Sequence, residues 1–125
     1  MARKPVILIV DDEEDVVSPL AHRFLSVGYD VRMEPNGQLG LQTALDAKPD
    51  LVLLDVMMPG IDGFETLRRL RANPAVNAVP VIMLTTKSLM RDAEHAFAEG
   101  ADDYVSKPYR WELLLPKVQR LLSRK

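Results

Sequence analysis

Leu51-Val52-Leu53-Leu54 is a run of four aliphatic residues ended by Asp55, with Lys48-Pro49-Asp50 before it and Pro59-Gly60 after it. A short apolar run bounded by turn residues reads as a strand, and one without polar alternation reads as a strand covered on both faces. Such strands belong to parallel sheets with helices packed above and below. A carboxylate directly after the run does not fit the same core, because an isolated buried charge is very costly. Asp55 is therefore expected at the carboxyl end of a central strand, the edge at which open α/β sheets bind their ligands.

The rest of the chain supplies partners for that strand. Pro5 to Val10 is a second continuous apolar run, followed at once by Asp11-Asp12-Glu13-Glu14-Asp15. Val17, Leu20, Ala21 and Phe24 recur at helical spacing up to Gly28, with Pro19 expected near the first turns, where proline is best tolerated. Tyr29 to Glu34 reads as a short strand, and Pro35-Asn36-Gly37 turns into a helix with Leu41, Ala44 and Leu45 on one face. Asp62 with Glu65 three residues on has the form of a capping box, opening a helix that buries Phe64, Leu67 and Leu70 and ends at Asn73-Pro74.

Val79 to Thr85 is a fourth strand, running into Thr86. Met90, Ala93 and Phe97 mark a fourth helix closed at Gly100, and Ala101 to Val105 is a fifth strand. Leu114, Val118, Leu121 and Leu122 line the last helix, which Pro116 is expected to kink or loosen. Five strands alternating with five helices on short loops predict a three-layer α/β fold with a parallel sheet and right-handed crossovers. A chain of 125 residues holds one such domain, expected to span 1–125.

Charge and composition remove several classes of function. With 16 basic against 18 acidic residues the chain has no general attraction to nucleic acid or membrane. The absence of cysteine excludes disulfides and thiolate metal sites, which suits a reducing compartment. No apolar run approaches the ~20 residues of a spanning helix, and the N-terminus lacks a signal-peptide pattern. A cytoplasmic protein is expected.

Parallel topology brings the carboxyl ends of all strands to one edge, and the residues there are chemical. Asp11 and Asp12 follow the first strand, Asp55 the third, Thr85 the fourth and Lys107 the fifth. Clustered carboxylates disfavour one another's ionisation, and a divalent cation removes the conflict. All-oxygen ligation without nearby histidine or cysteine points to Mg²⁺. A lysine, a hydroxyl and a metal around one carboxylate form a cradle for a transferred phosphoryl group, with Asp55 as nucleophile. Plainer roles compete at single positions. Glu13, Glu14 and Asp15 also suit the start of a helix, where acids favour the macrodipole. His22 and His95 read as surface histidines, Arg68-Arg69-Arg71 as a solvated helix face, and Met57-Met58 and Met90 as packing residues.

Val10-Asp11-Asp12-Glu13, the stretch from Leu54 to Gly63, Leu84-Thr85 and the stretch from Gly100 to Tyr109 together resemble the receiver domain of two-component response regulators. The resemblance covers nearly the whole chain. It implies a flavodoxin-like sheet of order 2-1-3-4-5 and a cytoplasmic bacterial phosphoprotein that takes a phosphoryl group onto Asp55. The donor would be a phosphohistidine on a sensor histidine kinase or on a histidine phosphotransfer protein. It implies Mg²⁺ on Asp12, Asp55 and the backbone carbonyl of Met57, with Asp11 acting through water. Thr85 and Tyr104 would be a switch pair, and the Lys107-Pro108 bond would be cis. Phosphorylation would reshape the face of the fourth helix, fifth strand and fifth helix for a partner, a phosphorylation-dependent homodimer being one such use. Pro116 is the main departure from the family pattern. Two other readings are a Mg²⁺-dependent phosphatase with an aspartyl nucleophile and a phosphorylation-independent interaction module. Against the first, such enzymes usually place a second catalytic aspartate two residues after the nucleophile, where this chain has Met57; against the second stands the intact acidic set with Lys107.

Overall fold

The computed structural model describes the backbone of residues 3–85 and 90–124, and the side chains of all of these except residues 90–93. In chain order the elements are β1 (Val6–Val10), α1 (Glu14–Ser26), β2 (Asp30–Glu34), α2 (Gly37–Ala47), β3 (Leu51–Asp55), α3 (Gly63–Ala72), β4 (Val81–Thr85), α4 (Met90–Ala98), β5 (Asp103–Ser106) and α5 (Trp111–Ser123). The five strands form one parallel sheet of order β2-β1-β3-β4-β5. This is the three-layer arrangement with a parallel sheet expected from the alternation of apolar runs and helices, in the flavodoxin-like strand order that the resemblance implied.

Apolar runs became buried strands because helices cover both faces of the sheet. β3 and β4 are buried along their full length. Leu8, Val10, Val52, Leu54, Val81 and Met83 point to one side, where they meet Ala44, Leu67 and Leu70. Ile7, Ile9, Leu51, Leu53, Ile82 and Leu84 point to the other, against Leu20, Phe24, Leu114 and Val118. The period-2 alternation of each strand thus serves two cores at once. The sheet reverses its winding between β1 and β3, so the crevice at their carboxyl ends is the switch point of the fold.

Four local expectations are corrected by packing. On α2 the inward face is Gly37, Gly40 and Ala44, with Leu41 half-buried, and Leu45 is exposed. A Cβ on Gly40 would lie 2.7 Å from a Val10 methyl, so the helix comes close enough to the sheet only without side chains there. On α4 Ala96 is buried at 2% exposure, while Phe97 is 48% exposed and lies edge-on to Tyr104. The side chains of Met90 and Ala93, placed on that helix face by the sequence, lie outside the described residues, as does Thr86. Met58 packs in the core as expected, but Met57 is 63% exposed. Arg68 and Arg69 do lie on a solvated face and pair with Glu65. Arg71 does not: its guanidinium donates to the carbonyls of Gly100, Asn77 and Val79 and to Asp102 Oδ2, which also accepts from Val81 N.

Both helix prolines are accommodated. Pro19 and Pro116 sit in the second turns of α1 and α5, on exposed positions, and α5 runs unbroken from Trp111 to Ser123. Each proline forgoes one backbone bond, from its own nitrogen to Asp15 or Glu112. The Asp62 cap forms half of the expected box. Asp62 Oδ1 accepts from Glu65 N at 2.8 Å, while the Glu65 carboxylate turns outward to Arg68 and Arg69.

The start of α3 is pressed onto the end of β3. A Cβ on Gly63 would lie 2.2 Å from the Asp55 carbonyl oxygen and 2.8 Å from Val56 Cα, both backbone atoms that cannot swing aside. Gly63→Ala is therefore expected to destabilise the protein by about 2–3 kcal/mol through overpacking. Urea denaturation followed by circular dichroism checks it. A variant as stable as the wild type would mean that α3 can back away from the strand.

Candidate functional site

Each site residue stands where a strand stops. Asp11 continues β1, with its N–H donating to the Glu34 carbonyl at 3.0 Å, and Asp55 is the last residue of β3, in register with Leu84. Thr85 ends β4 in register with Ser106, and its carbonyl accepts from Lys107 N at 2.6 Å. That bond ties the β5–α5 connection to the end of β4. The Lys107-Pro108 peptide bond is cis, as the resemblance implied.

Asp11, Asp12 and Asp55 each offer a carboxylate oxygen, and the three atoms lie within 4.8 Å of one another. Asp11 and Asp55 are buried, at 4% and 2% exposure, and Asp12 is exposed at the mouth. Lys107 reaches into this group with 7% side-chain exposure. Its Nζ lies 2.8 Å from Asp11 Oδ2, 2.8 Å from Glu13 Oε1 and 3.3 Å from Asp55 Oδ2. Asp55 Oδ1 accepts from Met57 N at 3.3 Å. Asp55 Oδ2 is near enough to Lys107 for charge attraction but is not aligned with it as a hydrogen bond. Among the described residues it is the buried side-chain oxygen left without one.

The electrostatics follow from this crowding. Burial first, and the negative charge of Asp11 second, raise the Asp55 carboxyl to about 7, against the opposing pull of Lys107 and the Met57 N–H. Burial works against the Lys107 ammonium. Its hydrogen bonds to Asp11 and Glu13 and the charges of Asp55 and Asp11 outweigh that, holding its pKa above the ordinary lysine value. The site therefore contains one cation shared among three carboxylates, with a proton competing for Asp55 at neutral pH.

The buried Asp55 oxygen without a hydrogen bond, beside two further carboxylates and no softer donor, fits a hard divalent cation. Asp11, Asp12 and Asp55 are the side chains able to hold it. Met57, two residues beyond Asp55, is exposed beside the site, and Tyr104 is half-buried on β5, packed against the core at the Phe97 ring.

Two contacts went unrecognised in the sequence. Glu13, equally readable as a helix-start acid, is the N-cap residue of α1 without a side-chain cap bond, and its carboxylate pairs with Lys107 instead. Tyr109 donates its hydroxyl to Asp11 Oδ2 at 3.3 Å. Burial, then the charge of Asp11 and the bond to it, hold that hydroxyl above the ordinary phenol range, so it remains a donor. Its only sequence signal was its place two residues after Lys107.

Fold and edge define a class: a flavodoxin-like domain whose switch point carries an acidic cluster and a buried lysine. The family model of the response regulator receiver domain matches residues 7–119, and the chain belongs to that family, the phosphorylation-switched signalling domains of two-component systems. It is 38% identical over 120 residues to the DNA-binding dual master transcriptional regulator RpaA of Synechocystis, covering 96% of this chain and 50% of that protein. It is 38% identical over 117 residues to PilH of Pseudomonas aeruginosa, covering 94% of this chain and 97% of PilH. A putative response regulator from Chloroflexus aurantiacus superposes with a TM-score of 0.92 at 33% identity, covering 97% of this chain and 99% of that one. The chain thus spans about half the length of the transcriptional regulators it resembles and nearly all of PilH. Among the described residues no helix is long and apolar enough to cross a membrane.

Proposed function

We propose that Asp55 accepts a phosphoryl group from a phosphohistidine on a sensor histidine kinase or a histidine phosphotransfer protein. The observation that carries this is the Asp55 carboxylate itself, buried at a strand end beside Lys107, with one oxygen lacking a hydrogen bond. In the transfer an Asp55 oxygen forms a bond to phosphorus as the phosphorus–nitrogen bond breaks, its electron pair staying on the imidazole. Lys107 balances charge on the phosphoryl oxygens, and the Thr85 hydroxyl donates to one of them. Asp12, Asp55 and the Met57 carbonyl would hold Mg²⁺, with Asp11 acting through water, and the metal would supply charge neutralisation at the acidic cluster and the phosphoryl oxygens.

Tyr104 is the second half of the switch. Once Thr85 is drawn to the phosphoryl group, Tyr104 turns inward and the α4–β5–α5 face changes shape for its partner. Among the described residues, two acids at that face are paired within the chain. Asp103 accepts from Lys117 at 3.0 Å and Arg120 at 2.9 Å, and Asp102 from Arg71 of α3; a phosphorylation-dependent homodimer would exchange the Asp103 pairs between subunits. Residues 1–125 act as one cytoplasmic receiver domain, a signalling module whose only turnover is gain and loss of its own acyl phosphate, without direct contact to nucleic acid or membrane. Intact mass after incubation with acetyl phosphate and Mg²⁺ tests the assignment: a single phosphoryl adduct is expected, and none once EDTA removes the metal.

The metal requirement also has a signature without phosphate. A carboxyl whose pKa is raised by folding stabilises the folded state below its unfolded value, and that contribution is lost as pH rises through the folded value. For Asp55 the window runs from its ordinary value of 3.8 to about 7. The metal-free protein is thus expected to lose stability over that range. Millimolar Mg²⁺ should raise the melting temperature more at pH 8 than at pH 5, because a cation competes with the proton and binds the folded state. Equal shifts at both pH values, or equal shifts from matched NaCl, would remove the metal from the acidic cluster.

A further inference from the structure

We propose that Tyr109 is a positioning residue of the phosphoryl site: its hydroxyl takes over the buried Asp11 carboxylate when Lys107 turns to a phosphoryl oxygen. The inference rests on Asp55 being the acceptor. The Asp11 side chain has no exposure, and its two oxygens have different keepers. Oδ1 accepts from Glu13 N at 2.9 Å, while Oδ2 faces both the Lys107 ammonium at 2.8 Å and the Tyr109 hydroxyl at 3.3 Å.

The donor count makes this arrangement consequential. An ammonium has three N–H groups. Lys107 already faces three carboxylates, those of Asp11, Glu13 and Asp55. A phosphoryl group on Asp55 brings several anionic oxygens against that ammonium, and once they take more than the one N–H that makes no hydrogen bond to Asp55, a bond to Glu13 or Asp11 is given up. Glu13, 52% exposed, can exchange Lys107 for water at little cost. Asp11 has no exposure to bulk solvent, the water through which it would act being held at the metal, and a buried carboxylate oxygen stripped of its protein donor is the expensive outcome. Tyr109 already stands beside that same oxygen. Its contact is longer than the ~2.5–2.7 Å usual for a hydroxyl on a carboxylate, as befits a second donor to an oxygen Lys107 occupies. The bond shortens as Lys107 leaves. Phenylalanine would fill the same space and offer no donor.

Tyr109→Phe tests this without threatening the fold. Wild type and variant are titrated in millimolar Mg²⁺ with beryllofluoride, which forms a phosphoryl-like adduct on aspartate, and binding is read from the melting temperature. The variant is expected to match the wild type in its melting shift with Mg²⁺ alone. Its apparent beryllofluoride affinity should fall about tenfold, the effect of one lost hydrogen bond to a buried charge. Its rate of phosphorylation by acetyl phosphate should fall in parallel. Unchanged beryllofluoride affinity would overturn the proposal, as would a loss of stability that is the same with and without beryllofluoride. Absence of any adduct on the wild type, or its persistence in Asp55→Asn, would instead overturn the assignment of Asp55.

Discussion

Asp55→Asn will take up no phosphoryl group from acetyl phosphate in Mg²⁺, under conditions in which the wild type does. The amide has nearly the shape of the carboxylate and keeps an oxygen to accept from Met57 N, so the fold is expected to survive. What it lacks is a nucleophilic oxygen and a negative charge. Loss of a catalytic nucleophile typically costs several powers of ten in rate, below detection by intact mass. The same variant removes the group that burial and Asp11 raise to about 7. Without metal it should therefore be more stable than the wild type above neutral pH, and the response of its melting temperature to Mg²⁺ should shrink. An adduct that persists in Asp55→Asn would place the acceptor elsewhere. A wild-type adduct that forms equally well in EDTA would separate the phosphoryl chemistry from the acidic cluster.

The second large effect lies at the opposite edge of the sheet. Arg71→Ala is expected to cost about 3 kcal/mol, lowering the melting temperature by roughly 10 °C. The Arg71 side chain is 21% exposed and ties α3 to two other pieces of chain: the carbonyls of Asn77 and Val79 before β4, and the Gly100 carbonyl with the Asp102 carboxylate in the α4–β5 connection. Removing it leaves a partly buried carboxylate and three carbonyls short of a donor, and each hydrogen bond to a charged group contributes about 1.5–3 kcal/mol. Arg71→Lys should fall between, because an ammonium keeps the charge but not the planar fork. Thermal unfolding by circular dichroism measures both. A change within about 1 kcal/mol, the usual limit for a surface pair, would return Arg71 to the solvated face on which its sequence neighbours lie.

Arg71 also shows where reading the sequence stops. Arg68, Arg69 and Arg71 look alike in a helix that ends at Ala72, and local pattern assigns all three to solvent. The turn back at Asn77 and Val79 and the approach of Gly100 and Asp102, 29 and 31 residues later, give Arg71 a different environment. The same holds at the site. Glu13 meets Lys107 across 94 residues and Tyr109 meets Asp11 across 98, and neither pair has any periodicity that would announce it. On α2 the sequence placed Leu45 on the apolar face, yet the sheet took the glycine side, because backbone and strand approach closest where no Cβ intervenes.

By contrast, the sheet, its parallel sense and the gathering of Asp11, Asp12, Asp55, Thr85 and Lys107 at strand ends were determined by the sequence itself. A continuous apolar run specifies a strand buried on both faces, the helices between runs require crossovers of one hand, and that topology sends every carboxyl end to the same edge. Tertiary structure decided which oxygen each donor reaches, which helix faces turn inward, and that one lysine is shared by three carboxylates while a tyrosine stands beside one of them. Strand formation is a local property with a period of two residues. Pairing at the edge depends on distances of a few tenths of an ångström between segments that meet only when both cores have closed.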